Sequence, residues 1–182
     1  MSATDKNLFA MKRKITPTHK ERTLKEDDFI ISKTDLKGRI TYCNRIFMDI
    51  AGYPEHELLG IQHNIIRHPD MPRAVFHMMW ETLKSGNEFF GYVKNLCKNG
   101  DHYWVFANVT PSYNDRNEVV GYYSVRRYPR PQALKVITPL YQEMLAAEKQ
   151  AGAARAIEAS TALVNNKLNQ FGKDYEHFVL EI

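Results

Sequence analysis

The sequence predicts an α+β domain built on an antiparallel sheet with short helices over one face, and three observations predict it. Two short runs rich in β-branched and aromatic residues, 29–34 (FIISKT) and 39–43 (RITYC), are joined by a turn in which Gly38 sits where a positive φ is cheap. Three more such runs, 89–97, 102–112 and 118–127, follow one another through tight-turn sequences. Between the two sets the apolar residues change to helical spacing. Strands joined by short turns, with the helices segregated between them, make an antiparallel sheet covered on one side, with a pocket between sheet and helices.

Each element has its own signal. Residues 1–28 are polar and charged with little periodicity, and a loose arm is expected there. After the first hairpin, Ile46, Phe47 and Ile50 recur at helical spacing, so Asn44 is the expected N-cap and Gly52 the stop. Pro54 and Gly60 bracket a further helical turn at 54–58. A polar loop, Arg67-His68-Pro69-Asp70, feeds a helix near Pro72 whose apolar face carries Phe76, Met79 and Trp80, and Asp70 is placed to accept from an N–H of its first turn. Ser85-Gly86-Asn87 breaks that pattern. Side chains alternate along a strand, so in 89–97 Phe90 and Tyr92 share one face and Val93, Asn95 and Cys97 the other. Asn99-Gly100 marks a hairpin, the next strand alternates Tyr103, Val105, Ala107 and Val109, and residues 114–117 turn into the last strand. Pro129 and Pro131 end the sheet. Residues 129–182 then read as a helical extension, with Leu134, Ile137, Leu140, Tyr141 and Met144 in register, Gly152 as an interruption, and an apolar finish at Phe178, Val179, Leu180 and Ile182. Such helices need a buried stripe, supplied by this domain or by another chain.

Composition limits the function. At 182 residues with 43% apolar and 12% aromatic content, the chain has enough for one core plus a tail. The net charge of +4 is modest and partly local, in Lys12-Arg13-Lys14 and in Arg126-Arg127 followed by Arg130, and a nucleic-acid or anionic-lipid surface would need a more concentrated basic face. Cys43 and Cys97 show no metal-ligand spacing and read as reduced core thiols. With no secretory h-region and no transmembrane run, a cytoplasmic protein is expected.

An ordered set of motifs carries a resemblance. Tyr53 and Leu58-Leu59-Gly60 are followed by His63-Asn64-Ile65-Ile66-Arg67-His68-Pro69-Asp70-Met71-Pro72, then Met79-Trp80, Val93-Lys94-Asn95, Asn99-Gly100-Asp101-His102-Tyr103-Trp104 and Gly121-Tyr122. Over residues 29–127 (about 29–128 as a domain) the chain resembles a PAS sensor domain, specifically the flavin-binding PAS domains of bacterial aerotaxis and energy-taxis sensors of the Aer and CetB types. The resemblance implies a PAS fold with a five-stranded antiparallel sheet. It also implies non-covalently bound FAD, read out as a redox sensor, and no enzymatic turnover. The partner it implies is a methyl-accepting chemotaxis-type signalling protein, which would hold this chain at the periphery of the inner membrane; a homodimer through the C-terminal helices is a further use. Carried over position by position, the cofactor-binding residues are Asn44 and Asn95 for polar flavin contacts, Arg67, His68 and Asp70 from the polar loop, and Phe76, Trp80 and Trp104 as aromatic walls.

The chemistry of these side chains suits those roles. Trp80 offers a flat wall, Asn95 both a donor and an acceptor, and Arg67 a cation for a phosphate or a reduced ring. Each also has a plain structural role: Phe76 and Trp80 as core, Asn44 and Asp70 as caps, His68 as a turn residue. The chain lacks the cysteine motif with which light-sensing relatives trap flavin covalently. Two other readings stay in play, a cofactor-free docking or dimerisation module and a haem-based gas sensor using His77. A flavin-dependent oxidoreductase lacks a dinucleotide fingerprint or a candidate base.

Overall fold

The computed structural model of the protein describes residues 15–182. Strands β1 (Ile30–Thr34), β2 (Ile40–Cys43), β3 (Phe89–Leu96), β4 (His102–Tyr113) and β5 (Val119–Arg127) form one antiparallel sheet in the order β2-β1-β5-β4-β3. Residues directly opposite one another share a face. Asn95 lies opposite Tyr103, Ala107 opposite Arg126, and Ser32 opposite Ser124. These, with Val93 and Val105, make the inner face, while Tyr92, Lys94, Trp104 and Phe106 make the outer one.

Helices α1 (Arg45–Ala51) and α2 (Glu55–Leu58), the 3₁₀ turn His63–Ile66 and α3 (Arg73–Lys84) lie between β2 and β3 in the chain. Phe47, Ile50, Leu58 and Ile66 close over Ile30, Ile40, Val105 and Ala107 in the inner core. Asn44 caps α1 as expected: its Oδ1 accepts from the N–H of Phe47 at 3.1 Å, and Gly52 ends the helix in the left-handed conformation. Both cysteines are free, buried thiols, and burial pushes the Cys97 thiol up to about 11.

The C-terminal helices pack back on the domain. Helix α4 (Pro131–Asn169) is broken at Gly152, whose φ of 73° and ψ of 168° leave helical space. The second arm turns back on the first, where Lys167 pairs with Glu143. Ile137, Leu140, Tyr141 and Met144 of the first arm join Val164 and Leu168 of the second, and Tyr175 and Val179 of α5 (Tyr175–Glu181), in one core with Phe89, Tyr92 and Phe106. That buried stripe is what stabilises helices of this length and makes the apolar C-terminus intelligible. No helix among the described residues is long and apolar enough to cross a membrane.

Two local expectations are corrected. The expected loose arm is pinned over its described part: Thr18 and Arg22 donate their N–H groups to the carbonyls of Gly100 and His102, His102 returns one to Lys20, and Leu24 is buried. Thr16 passes so close to Gly100 that a Cβ there would strike its carbonyl. The remainder of the arm, with Lys12-Arg13-Lys14, lies outside the described residues. Asp70, in turn, does not cap α3. Its carboxylate is drawn to Lys94 at 2.7 Å, and the N–H of Ala74 is taken instead by Oε1 of Glu148, at 3.1 Å, from α4.

Candidate ligand-binding cleft

The inner face of the sheet is sealed at one end and accessible at the other. Val105, Ala107 and Arg126 are buried, whereas Val109, Pro111, Ser124 and Tyr122 are only half-buried. Above the accessible end, α3 presents Phe76, Met79 and Trp80, also half-buried, and the Trp80 ring meets Tyr122 edge-on at 5.3 Å. Aromatic and apolar side chains of α3 thus stand over the half-buried end of the inner face, and polar side chains gather toward its buried end.

The polar end comes from four elements. The chain leaving the 3₁₀ turn runs beside β3, with Arg67 bridged to Asn95 as an extra antiparallel pairing, so the edge of the sheet is covered. The guanidinium of Arg67 lies 4.3 Å over the Phe76 ring, and burial lowers its pKa although Glu148 opposes the shift. Arg126 reaches in from β5, donating to Ser32 Oγ and, at 3.3 Å, to His63 Nε2, with its guanidinium 4.7 Å over Phe47. Because arginine only donates, His63 Nε2 accepts and that ring is neutral. Desolvation, then the Arg126 charge, push its pKa down to about 3. Three buried polar atoms on this face have no hydrogen-bond partner among the described residues: Asn95 Nδ2, Tyr103 Oη and Arg126 Nε. Buried polar groups are almost always hydrogen-bonded, so these three donors are open to water or to a polar ligand.

The eight residues singled out in the sequence do not all arrive there. Arg67 meets both Asn95, as its bridge partner, and the ring of Phe76, while Trp80 stands further along α3 against Tyr122. Asn44 does not arrive there, since its amide is consumed by backbone: Oδ1 accepts from Ile31 and Phe47, and Nδ2 donates to the Phe29 carbonyl at 2.7 Å. Trp104 lies on the outer face, stacked on Tyr141 of α4 with ring centroids 6.2 Å apart, because alternation from Tyr103 turns it away.

His68 and Asp70 sit at the sheet edge with Lys94 and His102. His68 Nδ1 accepts from the N–H of Asp70, and its ring stands edge-on to His102 at 5.7 Å. Desolvation, then Lys94, lower the His68 pKa to about 4. Partial burial works to raise the Asp70 carboxyl, but the hydrogen bond and charge of Lys94, with His68 and His102, hold it below the usual range. His77 is exposed on α3.

Ser32, His63, Tyr103 and Arg126 lie at the buried polar end of this face and were not singled out as binding residues. Tyr103 lay in the alternation already read from the sequence, one residue from Trp104. Arg126 and Arg127 are adjacent, and only the register of β5 decides which faces inward.

Comparison with known proteins decides the family of this architecture: residues 40–126 match the PAS fold family. The chain carries a PAS domain. This PAS domain is similar in sequence to the aerotaxis receptor of Escherichia coli (strain K12), at 43% identity over 127 residues, which is 70% of this chain and 25% of that protein. It is also 31% identical over 97 residues to the nitrogen fixation regulatory protein of Klebsiella pneumoniae, covering 53% of this chain and 20% of that one. The chain thus spans a quarter or less of the length of these relatives. Among solved structures, a light-oxygen-voltage domain studied with a flavin analogue aligns with a TM-score of 0.54 at 20% identity, covering 63% of this chain and 86% of that one. The light-state Aureochrome1 light-oxygen-voltage domain aligns equally well at 19% identity, covering 61% and 88%. At such identities the two structures speak to the fold alone, and they agree with a PAS fold.

Proposed function

We propose that this PAS domain holds FAD non-covalently in the cleft between α3 and the inner sheet face. It reports the flavin's redox state to a methyl-accepting chemotaxis-type signalling protein at the membrane, and catalyses no reaction of its own. The observation that carries this reading is the pairing of an apolar, aromatic cleft mouth with unpartnered donors at the closed end, in a domain similar to that of an aerotaxis receptor. Flat apolar walls and a few convergent polar groups are what an aromatic ring ligand requires.

The residues present fit the group. Trp80, Phe76 and Met79 would flank the ring and exclude water. Asn95 would present its amide to the ring edge, donating or accepting by rotation. Arg67 and Arg126 would set the local potential. When bound, the flavin supplies a two-electron redox change and with it a change of charge. The chain's own part is to convert that change into movement, and α4 touches both walls of the cleft. On β3, Asn95 faces inward, and three residues earlier the Tyr92 carbonyl accepts from Tyr141 of α4 at 2.8 Å. On α3, the first turn is capped by Glu148 of the same helix. A shift of β3 or of α3 therefore acts on α4 directly, as a two-state switch requires.

The test is the visible spectrum of the purified protein, with heat-released chromophore identified by chromatography, for the wild type, Trp80→Ala and Asn95→Ala. FAD in the wild type and reduced retention in both variants is the expected result. Full retention in both overturns the site. A protein that stays colourless after FAD is added overturns the cofactor and leaves the docking reading, and a single intense haem band moves attention to His77.

A further inference from the structure

Away from the proposed flavin site, two histidines meet where the loop before α3 passes the start of β4. His68 is 2% exposed, and its ring stands edge-on to that of His102 with centroids 5.7 Å apart. One nitrogen of each ring, His68 Nε2 and His102 Nδ1, is buried with no hydrogen-bond partner among the described residues. The other nitrogen of each is engaged. His68 Nδ1 accepts from the N–H of Asp70 at 3.1 Å, and the Thr18 backbone takes a hydrogen bond from the His102 ring. Burial first, then Lys94, push both pKa values down, so both rings are neutral near pH 7. Neutral imidazole is the form that ligates a metal. Buried polar atoms are almost always paired, and two bare ring nitrogens on adjoining histidines suit a divalent ion that takes nitrogen ligands.

We propose that His68 Nε2 and His102 Nδ1 form a two-histidine site for a divalent transition-metal ion of the Zn²⁺ or Cu²⁺ class. Metal–nitrogen bonds of about 2.0–2.1 Å place two ligating imidazole centroids roughly 5–6.5 Å apart, a range that includes the observed 5.7 Å. His102 is ready for this role, because a ring that donates from Nε2 carries its lone pair on Nδ1. In the ligating His68 the proton is carried on Nδ1 instead of Nε2. The Asp70 carboxylate, 3.5 Å from Nδ1, then receives it, and the Asp70 N–H turns to solvent. A carboxylate behind a ligating histidine fixes its tautomer and raises its basicity, and Lys94 holds this one at 2.7 Å. The Lys94 charge opposes an ion here, and the charges of Asp70 and Glu21 favour it.

No three His, Cys, Asp or Glu side chains among the described residues are placed for one ion, so solvent fills the remaining positions and the ion stays exchangeable. Mg²⁺ and Ca²⁺ take oxygen ligands and are not suited. The bound ion would join the loop leading into α3 to the strand on which the N-terminal arm lies, where Thr18 and Arg22 donate to the carbonyls of Gly100 and His102. This site does not depend on the flavin.

The experiment titrates Zn²⁺, Cu²⁺ and Mg²⁺ into the metal-free full chain by calorimetry. Wild type is compared with His102→Phe, His68→Gln, Asp70→Asn and, as a control at an exposed histidine, His177→Ala. Wild type should bind one Zn²⁺ and, more tightly, one Cu²⁺, and no Mg²⁺. His102→Phe and His68→Gln should each lose at least tenfold in affinity, Asp70→Asn less, and His177→Ala nothing. Bound Cu²⁺ should show two nitrogen ligands in electron paramagnetic resonance, a readout that needs no variant. Saturating Zn²⁺ should slow hydrogen exchange at the Thr18 and Arg22 amides in wild type and not in His102→Phe. Affinity unchanged in His102→Phe, or lost equally in His177→Ala, overturns the site. So does a wild type that binds neither Zn²⁺ nor Cu²⁺, or copper held by a single nitrogen.

Discussion

On the outer face of the sheet, Tyr141 donates to the Tyr92 carbonyl and its oxygen lies 2.8 Å from that of Tyr175; a phenol has one proton, so Tyr175 is the donor of the second bond. On the inner face the Tyr103 hydroxyl is as deeply buried and has no hydrogen-bond partner among the described residues. The outer face is completed by the chain's own C-terminal helices, which supply both the apolar cover and the hydrogen-bond partners. The inner face is covered but left with polar ends open. The difference teaches how the two faces are finished: the Tyr141 and Tyr175 hydroxyls tie α4 and α5 to the outer face, while the inner face keeps donors that, on the proposed reading, a ligand would meet.

The comparison breaks most visibly on the outer face. Tyr141→Ala removes a buried ring and both hydrogen bonds, and should cost ~3–5 kcal/mol of stability in denaturant unfolding, with hydrogen exchange rising first in α4 and α5. Acid comes next. His63 and His68 are held neutral, with pKa values lowered from 6.5 to about 3 and about 4, so the unfolded chain binds more protons than the native one at mildly acidic pH. Stability is therefore complete above pH 6.5 and falls as pH drops toward 4 and then 3. His68→Gln should flatten the upper part of that fall, and an unchanged profile would show that another group governs it.

On the inner face, Trp80→Ala should weaken FAD binding by about 1–3 kcal/mol, the range for loss of one stacked aromatic. Asn95→Ala should cost about tenfold in Kd, ~1.4 kcal/mol. Glu148→Gln keeps the size of the cap and removes its charge; a loss of ~1 kcal/mol, with faster exchange confined to the first turn of α3, is the expected signature. Smallest of all, Trp104→Phe should leave FAD affinity unchanged, because that ring belongs to the scaffold face.

Much of the fold was legible because it rests on local chemistry. Asn44 and Gly52 bound α1, Asn99-Gly100 turn β3 into β4, and the alternation of Tyr103, Val105 and Ala107 sets one face of β4. The site was legible only in part. The structure places Asn95, Arg67, Phe76 and Trp80 on or over the inner side of the sheet, and the alternation that faces Tyr103 inward turns Trp104 outward, an inference available from the strand alone. Asn44 was misassigned because its capping bonds leave the amide nothing to offer a ligand. Arg126 needed the register of β5, and Glu148 needed tertiary structure. No local pattern connects a carboxylate in α4 to the start of a helix 74 positions earlier in the chain.

That last contact has a consequence for the order in which the protein is made. A chain leaving the ribosome exposes both cleft walls, α3 and β3, long before residue 148 is available. Until α4 docks, the first turn of α3 lacks the acceptor that closes it, and Tyr141 has not reached β3. The cleft is thus finished by the segment synthesised after it, which makes pocket maturation a late, long-range event in folding. A nascent chain stopped before Tyr141 should carry the sheet without a ligand-ready α3.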